Sequence, residues 1–420
     1  MTLQDKPISA EAPGTAPAGK PARTRIVGLD GPRGLACAAV LVLHVNAHYS
    51  PKVMDSFKLQ LLGQALVFFF ALSGFLLYLP FVRAILADPG TVRPPDTRVF
   101  AVHRVLRVFP AYLTIFLISS LVFGAVYLEN VAIQPPGTDA GTGRMTAPGA
   151  IVANLTLLQS YLPQYFQTGL NPSWSLSLEL VFYLSLPIFG ALALALRRRT
   201  GLAPIGIALL APLTLVVIGA VGKALAPAVQ REVGVFDPNL AEWGPNWLAV
   251  YNRSFVSLAD NFAFGMVAAV LFAAIASGLL TGHVVRRLRW YCAPLLAVSA
   301  AASLALIAVH SHVSSTAVAL LSGLVILFIV APLARGEQSR FAGGLDWAPV
   351  RYVGEISLSV YLWHFPVLLV LGRWGLMAGD TLAGMLRNVA LVLTVSLALA
   401  ALTHRFVEKP AMALAKRYRR

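Results

Sequence analysis

The chain has 420 residues, of which 57% are hydrophobic and only 12% are charged. Because soluble domains carry roughly 25% charged residues, this composition excludes an ordinary soluble protein and predicts an all-α polytopic membrane protein. The net charge of +15 is concentrated between apolar runs. That distribution favours contacts with membrane lipids and argues against a nucleic-acid partner.

The apolar runs predict a bundle of about ten transmembrane helices, since a span needs about 20 mostly apolar residues. The candidate spans are 33–50, 59–82, 108–128, 174–196, 203–222, 258–277, 291–309, 314–334, 354–372 and 388–407. Residues 1–25 are predicted to form a disordered cytoplasmic tail, 26–410 the membrane domain and 411–420 a basic cytoplasmic tail. Most Lys and Arg residues fall on the side of the N-terminus, so both termini are predicted to be cytoplasmic. The long connections 129–173 and 223–257 are then external.

The first predicted span carries Arg33 near its mouth and His44 within it. Eleven residues make three helical turns plus about 20°, so both side chains share one face, about 16 Å apart along the axis. Ionisable residues inside spans are costly and usually functional. The structural alternatives are an interfacial anchor for Arg33 and a helix–helix hydrogen bond for His44. This span alone favours neither explanation.

Polar residues also mark the second and third spans. Ser73 precedes Gly74 at mid-span, a pattern that predicts close helix packing. A nucleophilic Ser73 is not expected, because a nucleophile elbow needs a strand–turn–helix context. Arg104 and Arg107 precede span three, share one helix face and lie near Arg98. Paired guanidinium groups suit phosphate binding, although anchoring to lipid headgroups is the simpler alternative.

The fourth span begins with Trp174 and places Ser175, Glu179 and Tyr183 on one face at spacings of four. A carboxylate inside a span must find a partner or be protonated. Glu179 is therefore predicted either to orient a histidine or to bind substrate hydroxyls. A purely structural polar clamp is the alternative.

The ninth span places Tyr361 and His364 on one face, with His364 near mid-membrane. His404, Arg405 and Glu408 end the tenth span and are predicted to form an interfacial ion pair. Histidine suits proton transfer because its pKa is near neutrality. No residue spacing indicates a metal site or a phosphate-binding loop, so no metal and no permanently bound cofactor are expected.

Six segments, in order, resemble those of the acyltransferase family 3 membrane proteins, which are bacterial O-acyltransferases that usually acetylate sugars. They are residues 29–44, 68–76, 104–112, 174–187, 354–366 and 408–410. Pro32 and Leu358 depart from the family pattern. Many members carry a C-terminal SGNH-type domain. This chain ends after span ten, so no relay through such a domain is expected.

The resemblance implies a ten-helix bundle that uses acyl-CoA as a cytoplasmic co-substrate, with acetyl-CoA the expected donor. It implies that His44 is catalytic, that Arg33 and Glu179 assist it, and that Arg104 and Arg107, with Arg98, bind the donor. The other residues expected to line the substrate site are Ser73, Trp174, Ser175, Tyr183, Tyr361 and His364.

The predicted function is therefore acyl transfer to a hydroxyl of a carbohydrate, glycolipid or glycosylated metabolite, in the bacterial cytoplasmic membrane. His44 acts either as the base or as the acyl carrier. Two alternatives stay open at this point. A secondary transporter or exporter would also bury His, Glu and Arg, but would usually show inverted repeats. A structural or lipid-binding protein would not need Arg33, His44 and Glu179 in one cavity.

Overall fold

The computed structural model describes residues 25–88, 91 and 93–418. The predicted N-terminal tail lies outside the described residues except for Arg25, which pairs with Asp30 and Asp346 at 2.6 and 2.7 Å. Nearly all of the regular secondary structure in the described residues is helical. Its α-helices are α1 Asp30–Tyr49, α2 Pro51–Phe57, α3 Ala65–Leu86, α4 Thr97–Leu117, α5 Pro148–Leu155, α6 Trp174–Arg199, α7 Pro204–Val233, α8 Pro238–Trp243, α9 Trp247–Asn252, α10 Phe255–Leu258, α11 Asp260–Ala276, α12 His283–Arg286, α13 Leu288–Ala308, α14 Ser314–Ala334, α15 Arg340–Leu345, α16 Ala348–Glu355, α17 Ser357–Arg373, α18 Leu382–Thr403 and α19 Lys409–Arg417.

Two short strands accompany the helices in the long connection after α4. β1 (Val126–Tyr127) pairs antiparallel with β2 (Thr142–Gly143). The remaining regular segments are 3₁₀ turns at Leu59–Gln64, Val131–Ile133, Gln159–Tyr161, Pro163–Tyr165 and Asn171–Ser173, and π turns at Ile118–Val122 and His404–Glu408. The connection after α4 lies against the bundle, because Arg373 of α17 donates to the Phe123 and Gly124 carbonyl oxygens and pairs with Asp139 at 2.8 Å.

Within the described residues, seven helical segments are long and apolar enough to cross a membrane. The helices α16 and α17 make an eighth if they count as one span bent by 76°. The predicted spans one and six correspond to α1 and to α11, a shorter apolar helix. The all-α multi-pass membrane fold is thus confirmed, while the count of ten and the cytoplasmic termini stay predictions.

Two predicted boundaries were wrong. Helix α4 begins at Thr97, because the Asp96 carboxylate caps it by accepting from the Val99 N–H at 2.9 Å. Arg98, Arg104 and Arg107 therefore lie within α4, not ahead of it. The predicted end at residue 128 was also wrong, since the chain has left the helix by Gly124 (φ +55°) and entered β1.

Glycines set the closest helix contacts around the site. A Cβ on Gly74 of α3 would lie 2.1 Å from the Phe262 carbonyl oxygen of α11, and one on Gly265 would lie 1.7 Å from that of Ala71. The close packing predicted at Ser73-Gly74 is confirmed. Likewise, a Cβ on Gly354 would lie 1.9 Å from the Asp30 carbonyl oxygen, so α1 lies directly against α16. Helix α1 also contacts α17, which brings two histidines together.

Candidate functional site

His44 of α1 and His364 of α17 form a hydrogen-bonded pair. His44 Nδ1 lies 2.8 Å from His364 Nε2, and the two rings meet edge to edge, with centroids 5.0 Å apart and planes inclined by 19°. His364 is buried, with 1% of its surface exposed, whereas His44 is partly exposed. Two predicted site residues that are 320 positions apart in the sequence thus meet here. This pair is the central feature of the site.

The hydrogen bonds of this pair determine its proton positions. His364 Nδ1 lies 2.6 Å from the Tyr361 carbonyl oxygen. Because a carbonyl only accepts, the proton of neutral His364 is on Nδ1, and its Nε2 accepts. The His44 Nδ1–H must then be the donor between the rings. This assignment leaves His44 Nε2 with its lone pair available for a proton or an acyl group.

His44 lines a cavity of about 360 Å³, which we call the histidine cavity. Its walls come from α1, from the connection after α4 and from the segment around α8. Trp174 contributes here, as predicted for a substrate-lining residue. The other lining side chains are Leu43, Ala47, His48, Met54, Gln60, Tyr127, Val131, Ala132, Gln134, Pro135, Pro136, Gln167, Asn171, Asn239, Trp243 and Phe365.

A second cavity of about 470 Å³, the arginine cavity, contains most of the other predicted site residues. Its described lining includes five arginines but only two carboxylates, so its charge is positive and suits an anionic ligand. The arginines are Arg25, Arg33, Arg83, Arg104 and Arg107, and the carboxylates are Asp30 and Glu179. The predicted residues Ser73, Ser175, Tyr183 and Tyr361 also line it.

Glu179 is held by two hydroxyl donors. Ser73 Oγ donates to Oε1 at 3.1 Å, and the Tyr183 hydroxyl donates to Oε2. The predicted face of Ser175, Glu179 and Tyr183 is present, because all three line the arginine cavity. Glu179 does not lie beside His44 or His364, so in this structure it orients neither imidazole.

The three predicted donor-binding arginines differ in their surroundings. Arg107 pairs with Glu408 at 3.0 Å, whereas Arg104 Nε is buried without a hydrogen-bond partner among the described residues. Arg98 is exposed and lies outside both cavity linings. Glu408 also accepts from Ser359 Oγ at 2.5 Å. Glu408 therefore pairs with Arg107 of another helix and not with Arg405, while His404 Nδ1 lies 3.5 Å from the same carboxylate. Of the three arginines predicted to bind the donor, Arg104 is the one that lines the arginine cavity without an ion pair among the described residues.

One hydrogen-bonded contact joins α17 to α6 in the wall of the arginine cavity. Ser175 Oγ is 2.8 Å from the Tyr361 hydroxyl, which donates to the Pro172 carbonyl oxygen at 2.9 Å. Neighbouring residues on α6 face different cavities, since Trp174 lines the histidine cavity and Ser175 the arginine cavity. Arg33 and Glu179 therefore share a cavity, whereas His44 lines the other one.

Sequence patterns did not indicate every residue of the site. Arg107 finds its partner Glu408 301 positions away, a separation that no local pattern reveals. Gln167 carries no sequence signal at all. Trp243 was visible only as an aromatic residue in a long, predicted external connection.

The site therefore consists of a histidine pair beside the histidine cavity and of an arginine cavity whose charge suits an anionic ligand. A family model described as "Acyltransferase domain" matches residues 26–405. The chain belongs to this acyltransferase family. The match covers nearly the whole described bundle, so both cavities lie within the family domain.

Two curated proteins are similar to this acyltransferase-family chain. One is named "Putative peptidoglycan O-acetyltransferase YrhL", from Bacillus subtilis, and is 25% identical over 403 residues, which cover 92% of this chain and 54% of that protein. The chain thus spans about half of that relative's length. The other is "Acyltransferase MdmB" from Streptomyces mycarofaciens, 26% identical over 420 residues and covering 95% of both chains. No solved structure matches the chain significantly.

Proposed function

We propose that this protein transfers an acyl group, with acetyl the expected one, from cytoplasmic acyl-CoA to a hydroxyl of a carbohydrate, glycolipid or glycosylated metabolite. The proposed location is the bacterial cytoplasmic membrane. The position of the His44 imidazole supports the proposed acyl transfer best. His44 Nδ1 is engaged by His364, and the ring lines a cavity large enough for an acceptor group.

The arginine cavity is the proposed donor site. Acyl-CoA carries several phosphates, and guanidinium groups bind phosphate oxygens through paired N–H donors. Arg104 is the main candidate because its Nε is buried without a described partner. Arg33 would add charge from α1. From Arg33 to His44 the helix rises about 16 Å, which is the distance that the thioester arm must cover.

The proposed chemistry balances in either of two forms. In direct transfer, the acceptor oxygen bonds to the thioester carbonyl carbon as the C–S bond breaks. His44 Nε2 takes the hydroxyl proton and gives it to the departing thiolate. In the two-step form, Nε2 itself bonds to the acyl carbon as the C–S bond breaks and CoA leaves as a thiolate. The acceptor oxygen then bonds to the acyl carbon as the C–Nε2 bond breaks, and the hydroxyl proton passes to the thiolate. Rapid quenching with labelled acetyl-CoA separates them, since only the second form yields an acyl-histidine.

The test is acyl transfer by the purified full chain in proteoliposomes, with labelled acetyl-CoA and a panel of envelope glycolipids and glycosides. We expect His44→Ala to lower transfer at least about 100-fold, because general acid–base catalysis contributes about 10²–10⁴-fold. His312→Ala, an exposed histidine, is the matched control. Wild-type rates in His44→Ala protein would refute the proposed role.

A transporter is the second candidate, and one observation favours it. Ionisable side chains lining two cavities inside a helical bundle are also typical of a substrate pathway through a membrane. Substrate accumulation in proteoliposomes without any acyl-CoA, unaffected by His44→Ala, would support transport and exclude the transferase.

A further inference from the structure

Three arginines lie together at the start of α13, outside the linings of both cavities. Arg286, Arg287 and Arg289 fall within four residues of the chain, and we call them the α13 basic cluster. Arg286 and Arg287 are exposed, and Arg289 is half-buried. Among the described residues, none of the three forms an ion pair with a carboxylate. Like charges this close together repel one another and favour an anion from outside the chain.

The carboxylate beside this cluster is already neutralised. Glu337 accepts from two guanidinium nitrogens of Arg335, at 2.7 and 2.6 Å. The same Arg335 donates to the Val285 carbonyl oxygen at 2.8 Å, which fixes the end of α14 beside the α13 basic cluster. Because the charges of Glu337 and Arg335 cancel, the surroundings of the cluster stay positive.

Helix polarity explains another basic run of the chain, but not this one. Arg198 and Arg199 end α6, where the negative end of the helix dipole stabilises cations. Arg289 instead lies in the first turn of α13, which contains no acidic residue, and Arg286 and Arg287 precede it. There the positive end of the dipole adds to the arginine charges. The α13 basic cluster thus lacks a counter-charge in the described part of the chain, and a bound anion would supply one.

Two aromatic rings hold Arg289 in place. Its guanidinium carbon lies 4.3 Å from the centroid of Phe328 and 5.5 Å from that of Phe341. These rings belong to α14 and α15, and they meet at 88° with centroids 5.6 Å apart. A guanidinium that lies on aromatic rings keeps the N–H donors of its own plane, which bind phosphate oxygens in pairs. Arg289 is therefore pre-oriented for a phosphate group.

Helix α13, which follows this cluster, is the least buried of the seven candidate spans found in the described residues. Only 17% of its apolar stretch is buried, against 28–61% in the other six. Its main neighbour is α14, so most of its surface is left for lipid. Trp290, in the first turn, is 78% exposed, and tryptophan is enriched at the level of the lipid headgroups. The α13 basic cluster and the headgroup level therefore coincide.

We propose that the α13 basic cluster binds the phosphate of an anionic phospholipid, whose acyl chains lie along the exposed apolar face of α13. Leu295 and Val298, both exposed, belong to that face. A zwitterionic phospholipid carries its own ammonium group, which the arginines repel, so the site favours a lipid with a net negative charge. This inference goes beyond the proposed acyl transfer and does not depend on it.

The test is native mass spectrometry of the full chain in detergent, titrated with phosphatidylglycerol or with phosphatidylcholine of identical acyl chains. Each arginine near an anionic surface contributes roughly fivefold in affinity. For three arginines, we therefore expect one phosphatidylglycerol to bind about 100-fold more tightly than phosphatidylcholine. The double variant Arg286→Gln/Arg287→Gln should weaken phosphatidylglycerol binding about 25-fold and leave phosphatidylcholine binding unchanged. Both replaced side chains are exposed, so the variant should fold as wild type does.

A matched variant and a photoreactive lipid locate the site. Arg198→Gln/Arg199→Gln removes the same charge from the exposed end of α6, and its affinity for phosphatidylglycerol should stay within about twofold of wild type. A phosphatidylglycerol with a diazirine in one acyl chain should label the peptide that contains residues 288–308. That labelling should be lost in Arg286→Gln/Arg287→Gln protein.

Each outcome has a defined meaning. Equal losses in the two double variants, or no preference for phosphatidylglycerol, would overturn the inference, because unspecific charge attraction would then be sufficient. Labelling only outside residues 286–308 would overturn it as well. Displacement of phosphatidylglycerol by inorganic phosphate would assign the cluster to a soluble anion and so contradict a lipid site. Phosphatidylglycerol bound at α13 in a protein that transfers no acyl group would leave this inference standing and count against the proposed function alone.

Discussion

Replacing His364 tests the assignment of proton positions in the histidine pair. His364→Phe removes the acceptor that now lies 2.8 Å from His44 Nδ1. When His44 takes a proton, that contact strengthens from a neutral hydrogen bond, worth about 0.5–1.5 kcal/mol, to one from a charged donor, worth about 1.5–3 kcal/mol. Only the difference of about 1–1.5 kcal/mol affects kcat, so at 1.36 kcal/mol per factor of ten we expect kcat to fall about 5–13-fold. The KM for acyl-CoA should not change, since His364 is outside the arginine cavity.

The matched variant is His364→Gln, whose side-chain oxygen can accept in place of Nε2. We expect it to recover much of the lost kcat, whereas a merely space-filling role would make the two variants equivalent. The assay is initial-rate acyl transfer with each substrate varied in turn, on variants whose thermal unfolding matches wild type. A His364→Phe kcat within twofold of wild type would refute the argument.

Other predictions concern the arginines and a buried ion pair. Arg104→Ala should raise the KM for acyl-CoA with little change in Tm. Arg107→Ala should instead lower the free energy of unfolding by about 1–3 kcal/mol, because it leaves Glu408, 2% exposed, without its cation. Initial rates measure the KM of the Arg104 variant, and thermal unfolding compares the stability of the two variants. Lys223→Ala leaves Asp260, 1% exposed, without its cation, and should lower the free energy of unfolding by about 3–5 kcal/mol. An unchanged Tm in Lys223→Ala protein would contradict this.

Features set by local periodicity were predictable from the sequence. Spacings of four placed Ser175, Glu179 and Tyr183 on one face, and all three line the arginine cavity. The pair Ser73-Gly74 correctly indicated where α3 approaches α11. In both cases the pattern repeats within one helix, so helical geometry alone is sufficient.

Features that depend on which helices become neighbours were not predictable. The break at Ile356 lies inside the predicted span 354–372 and is visible only once α16 packs against α1 at Gly354. The pairing of Arg107 with Glu408 has the same origin. Hydropathy reports how apolar a segment is, but not which segment it contacts.

The relation between Arg33 and His44 combines both kinds of information. Helical geometry places them on one face about 16 Å apart, roughly half of a hydrocarbon core of about 30 Å. A residue at the mouth of α1 and one at mid-membrane can therefore not serve the same small cavity, and the structure assigns them to two. Tyr361, from another helix, bonds to Ser175 in the wall of the arginine cavity. If acyl transfer occurs at His44, a donor held in the arginine cavity must therefore extend its thioester beyond that cavity to reach the imidazole.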